Sequence, residues 1–339
     1  MQRNQALDGL RAVAAILVVA CHTLLPGFAG GIYGVDIFFV LSGYVITQLL
    51  QREWTSTGTV DLARFYAARA LRLMPALIAF LAVYVVVAPL LWPNEEHLVP
   101  ALLAGAYLTD LSWTFYEMPS RLRHTWSLAA EFHFYLIWPI CAVMLFRRSY
   151  RAQMTALALA YLAVVLWRSV NEIYAGPYPY PYHALDTRGS GLLVGCALAL
   201  SLPRLAIRAD VAERLAVWSL VVLVLIVAFP PGGAINYGLA IPIAEACAAG
   251  LIAGLVSGAP ISSRRFGVRP LVFLGTISYA IYLWHFPIAL ALHAAPSGYH
   301  WFVLTMGASI LLATISWFAI EQPMTALRRR MHARPAPAE

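Results

Sequence analysis

Apolar residues in this chain come in long runs and do not alternate with polar ones. A membrane-spanning helix needs about 20 mostly apolar residues. Runs of that kind lie near 9–26, 33–51, 73–92, 126–146, 153–170, 184–202, 213–230, 237–257, 271–292 and 300–320. The pattern predicts an all-α integral membrane protein of about ten transmembrane helices. A further run, 98–115, is shorter and carries Asp110 among aromatic residues. It is either another span or a re-entrant segment.

Charge chooses between these two. Loops rich in Lys and Arg stay on the cytoplasmic side. With the N-terminus inside, the loop holding Arg52, Arg64, Arg69 and Arg72 is also inside. If 98–115 does not cross, Arg147, Arg148 and Arg151 fall inside too, followed by Arg204, Arg208 and Arg214. So do Arg264, Arg265 and Arg269, and then a tail with Arg328, Arg329 and Arg330. The outer loops keep Arg121, Arg123 and the stiff run "GPYPYPYH". If 98–115 did cross, every later Arg-rich loop would flip outward. The expectation is therefore ten spans, both termini cytoplasmic, and 98–115 re-entrant on the outer face, where protein or water must satisfy its backbone.

Composition agrees with that reading. Of 339 residues, 61% are hydrophobic and 12% charged, against about a quarter charged in soluble domains. Mean hydropathy is +0.73. The first run has no small-residue cleavage site leading into a soluble domain, and more spans follow, so it does not read as a signal peptide. The net charge of +7 lies between apolar runs, which reads as topology and not as a nucleic-acid face. All 23 basic residues are Arg, so Lys chemistry such as a Schiff base is excluded. Cys21, Cys141, Cys196 and Cys247 lie singly in apolar runs, without metal spacing or a disulfide framework.

Within this apolar chain a few polar positions carry chemistry. In "DGLRAVAAILVVACH", Arg11 and His22 are eleven residues apart. That is three helical turns plus about 20°, so they share a face and lie about 16 Å apart along the axis. A snorkelling Arg and a hydrogen-bonded interface His are the plain structural reading, but the pair on one face favours a site. Cys21 points about 100° away. "GVDIFFVLSGY" brings Asp36 into the second span from the outside, at the expected depth of His22. A carboxylate there could orient the imidazole, as in acyl-transfer triads. Ser42 and Gly43 read as close helix packing. "RALRLMP" places Arg69 and Arg72 on one helix face at the inner surface, either as ordinary positive-inside charge or as a phosphate site.

"HTWSLAAEFHFYLIWP" holds His124, Trp126, Glu131, His133 and Tyr135. Glu131 falls about one turn inside the outer surface and needs a partner there. The metalloprotease pattern H-E-x-x-H is absent, and no metal is expected. "HALDTRGSG" sets Asp186 and Arg188 at the outer start of a span, as an ion pair or as acceptor contacts. His285 lies in a late span, and Glu321 of "IEQP" at an inner end that suits a basic partner. By depth the polar residues form an outer acid/base group (His22, Asp36, His124, Glu131 and Asp186) and an inner cationic group (Arg11, Arg69 and Arg72). A transporter or proton relay could also use intramembrane charge. Secondary transporters, however, show repeated halves, and none is visible. A passive scaffold has no reason to hold charge at two depths.

These blocks, with "LGTISYAIYLWHFP", resemble in order the acyltransferase 3 family of bacterial membrane O-acyltransferases. The resemblance covers nearly the whole chain, as one transmembrane domain over 1–325 and a short basic cytoplasmic tail over 326–339. The esterase-like extension of some members is not expected here. The resemblance implies a multi-pass protein of the bacterial inner membrane that uses cytoplasmic acetyl-CoA or another short acyl-CoA. The implied acceptor is a hydroxyl of a surface or exported glycan or glycolipid, such as lipopolysaccharide, exopolysaccharide or peptidoglycan; some relatives acylate macrolides. The family's Arg-x10-His maps onto Arg11 and His22, and its Arg-x-x-Arg onto Arg69 and Arg72. His22 is then expected to act as base or acylated nucleophile, oriented by Asp36. Glu131 with His124 would polarise the acceptor, and Trp126, Asp186 and Arg188 would bind it.

Overall fold

In a computed structural model, residues 4–116, 121–175, 180–230, 237–293 and 298–325 are described. The expected basic tail and most of "GPYPYP" lie outside them. The helices are α1 Gln5–His22, α2 Gly34–Thr57, α3 Leu62–Leu91, α4 Leu98–Gly105, α5 Thr109–Tyr116, α6 Trp126–Phe146, α7 Tyr150–Ala175 and α8 Tyr180–His183. There follow α9 Leu185–Arg188, α10 Ser190–Ser201, α11 Ala209–Ala228, α12 Tyr237–Val256, α13 Pro260–Phe266, α14 Arg269–Thr276, α15 Ser278–Ala291 and α16 Gly298–Ser316. There is no strand among the described residues.

Eight of the described helical segments are long and apolar enough to cross a membrane, or nine if the bent pair α14 and α15 counts as one span. Two of the ten expected spans are therefore not simple helices. The run 271–292 bends by 71° between α14 and α15. The run 184–202 is split at Gly189 into α9 and the short α10, because the polar stretch "DTRGS" makes contacts to other helices there. The segment 98–115 forms α4 and α5, eight residues each. At 1.5 Å per residue each is about 12 Å long, too short to cross.

α1 starts earlier than expected because Asn4 caps it, accepting from the N–H groups of Ala6 and Leu7 at 3.0 and 3.3 Å. It ends at His22, where Leu24 takes a left-handed φ of 52° and Pro26 follows. The start of α1 packs on α13 and α14, with Gly9 against the Phe266 carbonyl and Gly275 against that of Asp8. Past its other end, Leu24 meets Gly298 at the start of α16, and Gly30 in the 3-10 turn Ala29–Tyr33 meets Ile226 at the end of α11. α2 and α10 cross at backbone contact: a Cβ on Gly43 would stand 2.0 Å from the Leu192 carbonyl oxygen, and one on Gly195 2.1 Å from that of Val40. This is the small-residue packing expected at Gly43.

Candidate active site between α1, α6 and α15

α6 carries Ser127, Glu131 and Tyr135 at i, i+4 and i+8, one polar stripe in an apolar helix. At the Glu131–Tyr135 end of the stripe, the Ser42 and Tyr135 hydroxyls both donate to Glu131, and they lie 3.1 Å from each other. Ser42 is thus a hydrogen-bond partner and not only a packing residue. Arg11, Arg72 and Arg69 lie within electrostatic range of the Glu131 carboxylate. Arg69 stands 5.6 Å over the Tyr135 ring, and Arg72 is also in range of Glu321. Asp8 is in range of Arg11 as well, so three arginines face three carboxylates at this end. Arg11, Arg69, Arg72 and Glu131 are all half-buried, so none of them is sealed in the core.

The other end of the stripe is built of histidines. His22 Nδ1 lies 3.0 Å from His285 Nε2, and His285 Nδ1 lies 2.6 Å from the Tyr282 carbonyl oxygen. The His22 ring meets Phe286 edge-on at 4.9 Å. His124 stacks on Phe286 at 5.1 Å and meets His285 edge-on at 5.4 Å. The sequence explains how His124 is anchored. Pro287 has no N–H for the residue four earlier, which leaves the Leu283 carbonyl available, and His124 Nε2 donates to it at 3.1 Å. Between the two ends, Ser127 donates to Tyr282 Oη at 2.6 Å, and the Tyr282 hydroxyl donates to the His124 carbonyl at 2.9 Å. Arg123, exposed and 5.1 Å over the Phe286 ring, stands in electrostatic range of His22.

Several expected placements are corrected. Asp36 does not reach His22. The 3-10 turn Ala29–Tyr33 carries the chain back along α1, so α2 begins with Gly34 packed on Ala14. Ala14 is eight residues, about 12 Å, below His22. Asp36 instead pairs with Arg188 at 3.1 Å, with their side chains 0% and 1% exposed. Asp186 does not pair with Arg188; it is exposed and accepts from Trp167 Nε1 at 3.0 Å. Glu131 does not sit with the outer group, and His124 is not its partner. Its expected depth counted Trp126 as the membrane surface, but Leu122, His124 and Thr125 before it are already buried.

Asp36 and Arg188 belong to a second buried cluster. Arg188 lies 5.7 Å over Trp126 and 5.1 Å over Tyr182. Arg168 donates to the Thr187 carbonyl and to Ser190 Oγ, both at 2.9 Å, and Ser190 donates to Glu245. These contacts tie α2, α7, α9, α10 and α12 together. Trp126 is thus placed with this brace and not with the histidines. Arg168 and Glu245 escaped the sequence reading, although each is a lone charge inside an apolar run. Among the described residues, no group of three or more His, Cys, Asp or Glu is placed to hold a metal ion.

Comparison with known proteins adds identity to this geometry. The acyltransferase domain model Acyl_transf_3 matches residues 4–321. The chain belongs to the acyltransferase 3 family. It is 29% identical over 351 residues to the peptidoglycan O-acetyltransferase OatA of Listeria monocytogenes, covering 94% of this chain and 55% of that protein. It is 32% identical to the putative peptidoglycan O-acetyltransferase YrhL of Bacillus subtilis, covering 94% and 54%. It is 30% identical to the O-acetyltransferase OatA of Staphylococcus aureus, covering 94% and 56%. The chain thus spans little more than half the length of these curated relatives. No solved structure matches it.

Proposed function

We propose that this chain is a membrane O-acyltransferase that moves an acetyl or other short acyl group from acyl-CoA to a glycan hydroxyl. The observation that carries the proposal is the polar stripe of α6, which runs from an arginine cluster to a histidine cluster. Arg11, Arg69 and Arg72 fit the phosphates of a CoA donor, because guanidinium groups bind phosphate through paired, charge-assisted hydrogen bonds. The Arg-rich loops after α2, α6, α10 and α12 belong, in a ten-span topology, to the end where α1 starts. That end is then cytoplasmic, in an inner membrane, with both termini inside.

The pantetheine arm runs from this end toward His22. His22 removes the proton of the acceptor hydroxyl as the oxygen attacks the thioester carbonyl, a contribution of roughly 10²–10⁴ in rate. The C–O bond forms, the C–S bond breaks, and the proton passes to the leaving sulfur. Passage of the acyl group through His22 itself would use the same ring. Glu131, held by Ser42 and Tyr135, orders Arg11 and Arg72 around the donor. The relatives' names make peptidoglycan the first acceptor to test, before lipopolysaccharide, exopolysaccharide or a small secreted molecule.

The test is transfer of label from radiolabelled acetyl-CoA to glycan by the purified protein in vesicles of known orientation. Label transfer only when acetyl-CoA has access to the arginine end supports the proposal. No transfer with access to either end would refute it.

A further inference from the structure

The histidine end fixes more than the position of His22. A carbonyl oxygen has no proton to give, so the 2.6 Å contact between His285 Nδ1 and the Tyr282 carbonyl requires the proton on Nδ1. In a neutral imidazole the other nitrogen is then an acceptor. His285 Nε2 faces His22 Nδ1 at 3.0 Å, so His22 must carry its own proton on Nδ1 and donate it. Its Nε2 is left with the lone pair. Neutral rings are the state the site favours: His285 is fully buried, where an uncompensated charge is costly, and the cation of Arg123 is already in range. His124 enters neither contact: its Nε2 is bound to the Leu283 carbonyl, and its Nδ1 makes no hydrogen bond among the described residues.

We propose that His285 is a positioning residue that holds His22 as the Nδ1–H tautomer, so that Nε2 is the atom that takes the proton of the acceptor hydroxyl. This rests on the acyl-transfer reading of His22. In triads of the Ser-His-Asp type a carboxylate performs this duty; here a neutral imidazole backed by a main-chain carbonyl performs it. When Nε2 takes the hydroxyl proton, the resulting imidazolium keeps its Nδ1–H bond to His285. The proton then leaves Nε2 for the sulfur, and both rings return to their starting tautomers. His285 gains and loses nothing over the cycle.

Three substitutions separate positioning from packing. His285→Gln keeps an acceptor near the Nε2 position, His285→Asn keeps only the contact toward Tyr282, and His285→Leu keeps neither. The expected result is a fall in kcat of about 100-fold for Leu and Asn, with the KM for acetyl-CoA unchanged and thermal stability retained. Gln should lie within about tenfold of wild type. His22→Ala combined with His285→Leu should be no slower than His22→Ala alone.

Nitrogen NMR of protein labelled at the histidine rings, with His22 assigned by His22→Gln, should show His22 protonated at Nδ1 in wild type and His285→Gln. Both tautomers should appear in His285→Leu. Full activity of His285→Leu, or a wild-type His22 protonated at Nε2, would overturn the proposal. The expected NMR pattern in a protein that transfers no acetyl group would refute the acyl-transfer reading and leave the tautomer assignment standing.

Discussion

Replacing Asp36 by Asn separates two roles that the sequence alone could not. The Asp36–Arg188 pair is essentially sealed, at 0% and 1% exposure. Removing one partner of such a pair leaves the other charge uncompensated, which costs about 3–5 kcal/mol. The cluster moderates this. Arg168 and Arg188 face Asp36 and Glu245, two cations against two carboxylates. After Asp36→Asn, Glu245 serves both guanidinium groups and the cluster carries one positive charge in excess. The lower part of the range follows, about 3 kcal/mol or roughly a hundredfold in the folded-to-unfolded ratio. The assay is thermal unfolding of detergent-solubilised protein, followed by fluorescence-detected gel filtration, with acetyl transfer measured on the surviving folded fraction. Asp36→Asn should unfold at markedly lower temperature, and its folded fraction should keep most of its activity. Asp36→Leu with Arg188→Met, which removes both charges, should recover most of the stability. An unchanged unfolding temperature with a selective loss of kcat would refute this reasoning and return Asp36 to His22.

Other predictions address the arginine cluster, the packing and the surface. Arg11→Gln and Arg72→Gln should each raise the KM for acetyl-CoA about ten- to a hundredfold, the loss of one charge-assisted hydrogen bond of about 1.5–3 kcal/mol, as read from initial-rate kinetics. Gly43→Leu should cost about 1–3 kcal/mol or more by driving α2 off α10, seen as a lower unfolding temperature and poor membrane yield. Outside the spans, hydrogen bonding from Arg121 lowers the pKa of Glu95. A depressed carboxylate stabilises the fold above its unfolded pKa and loses that effect as pH falls through the folded pKa. Because the Arg121 and Glu95 side chains are 31% and 40% exposed, Arg121→Gln should cost no more than about 0.2–1 kcal/mol at neutral pH, and less in acid, where only the contact of Arg121 with the Trp92 ring is left to lose, by thermal unfolding across pH.

What the sequence revealed was whatever depends on distance along one helix. Run lengths located the helices, including the short segment 98–115. The 3.6-residue repeat put Arg11 and His22 on one face, and Arg69 and Arg72 on another. What stayed hidden depends on which helices are neighbours and at what height. Asp36 was given the depth of His22 because the return of residues 29–33 along α1 leaves no mark in hydropathy. His285 was visible as a lone polar residue, but its partner lies 263 residues away, and no local pattern joins them. The proline two residues after it was a usable signal: a proline inside an apolar helix frees a carbonyl, and a freed carbonyl needs a donor. Arg168 and Glu245 carried a similar signal, since charges inside apolar runs need partners, and they found them in the brace around Arg188.

The most direct test of acyl transfer through His22 is the O-acetyl content of cell-wall glycan, measured by proton NMR. The comparison is a host lacking the gene, the same host with the wild-type gene, and the host with His22→Ala expressed at equal level. The proposed reaction predicts signal lost in the deletion, restored by wild type and absent with His22→Ala. Equal O-acetyl signal with wild type and His22→Ala would contradict it.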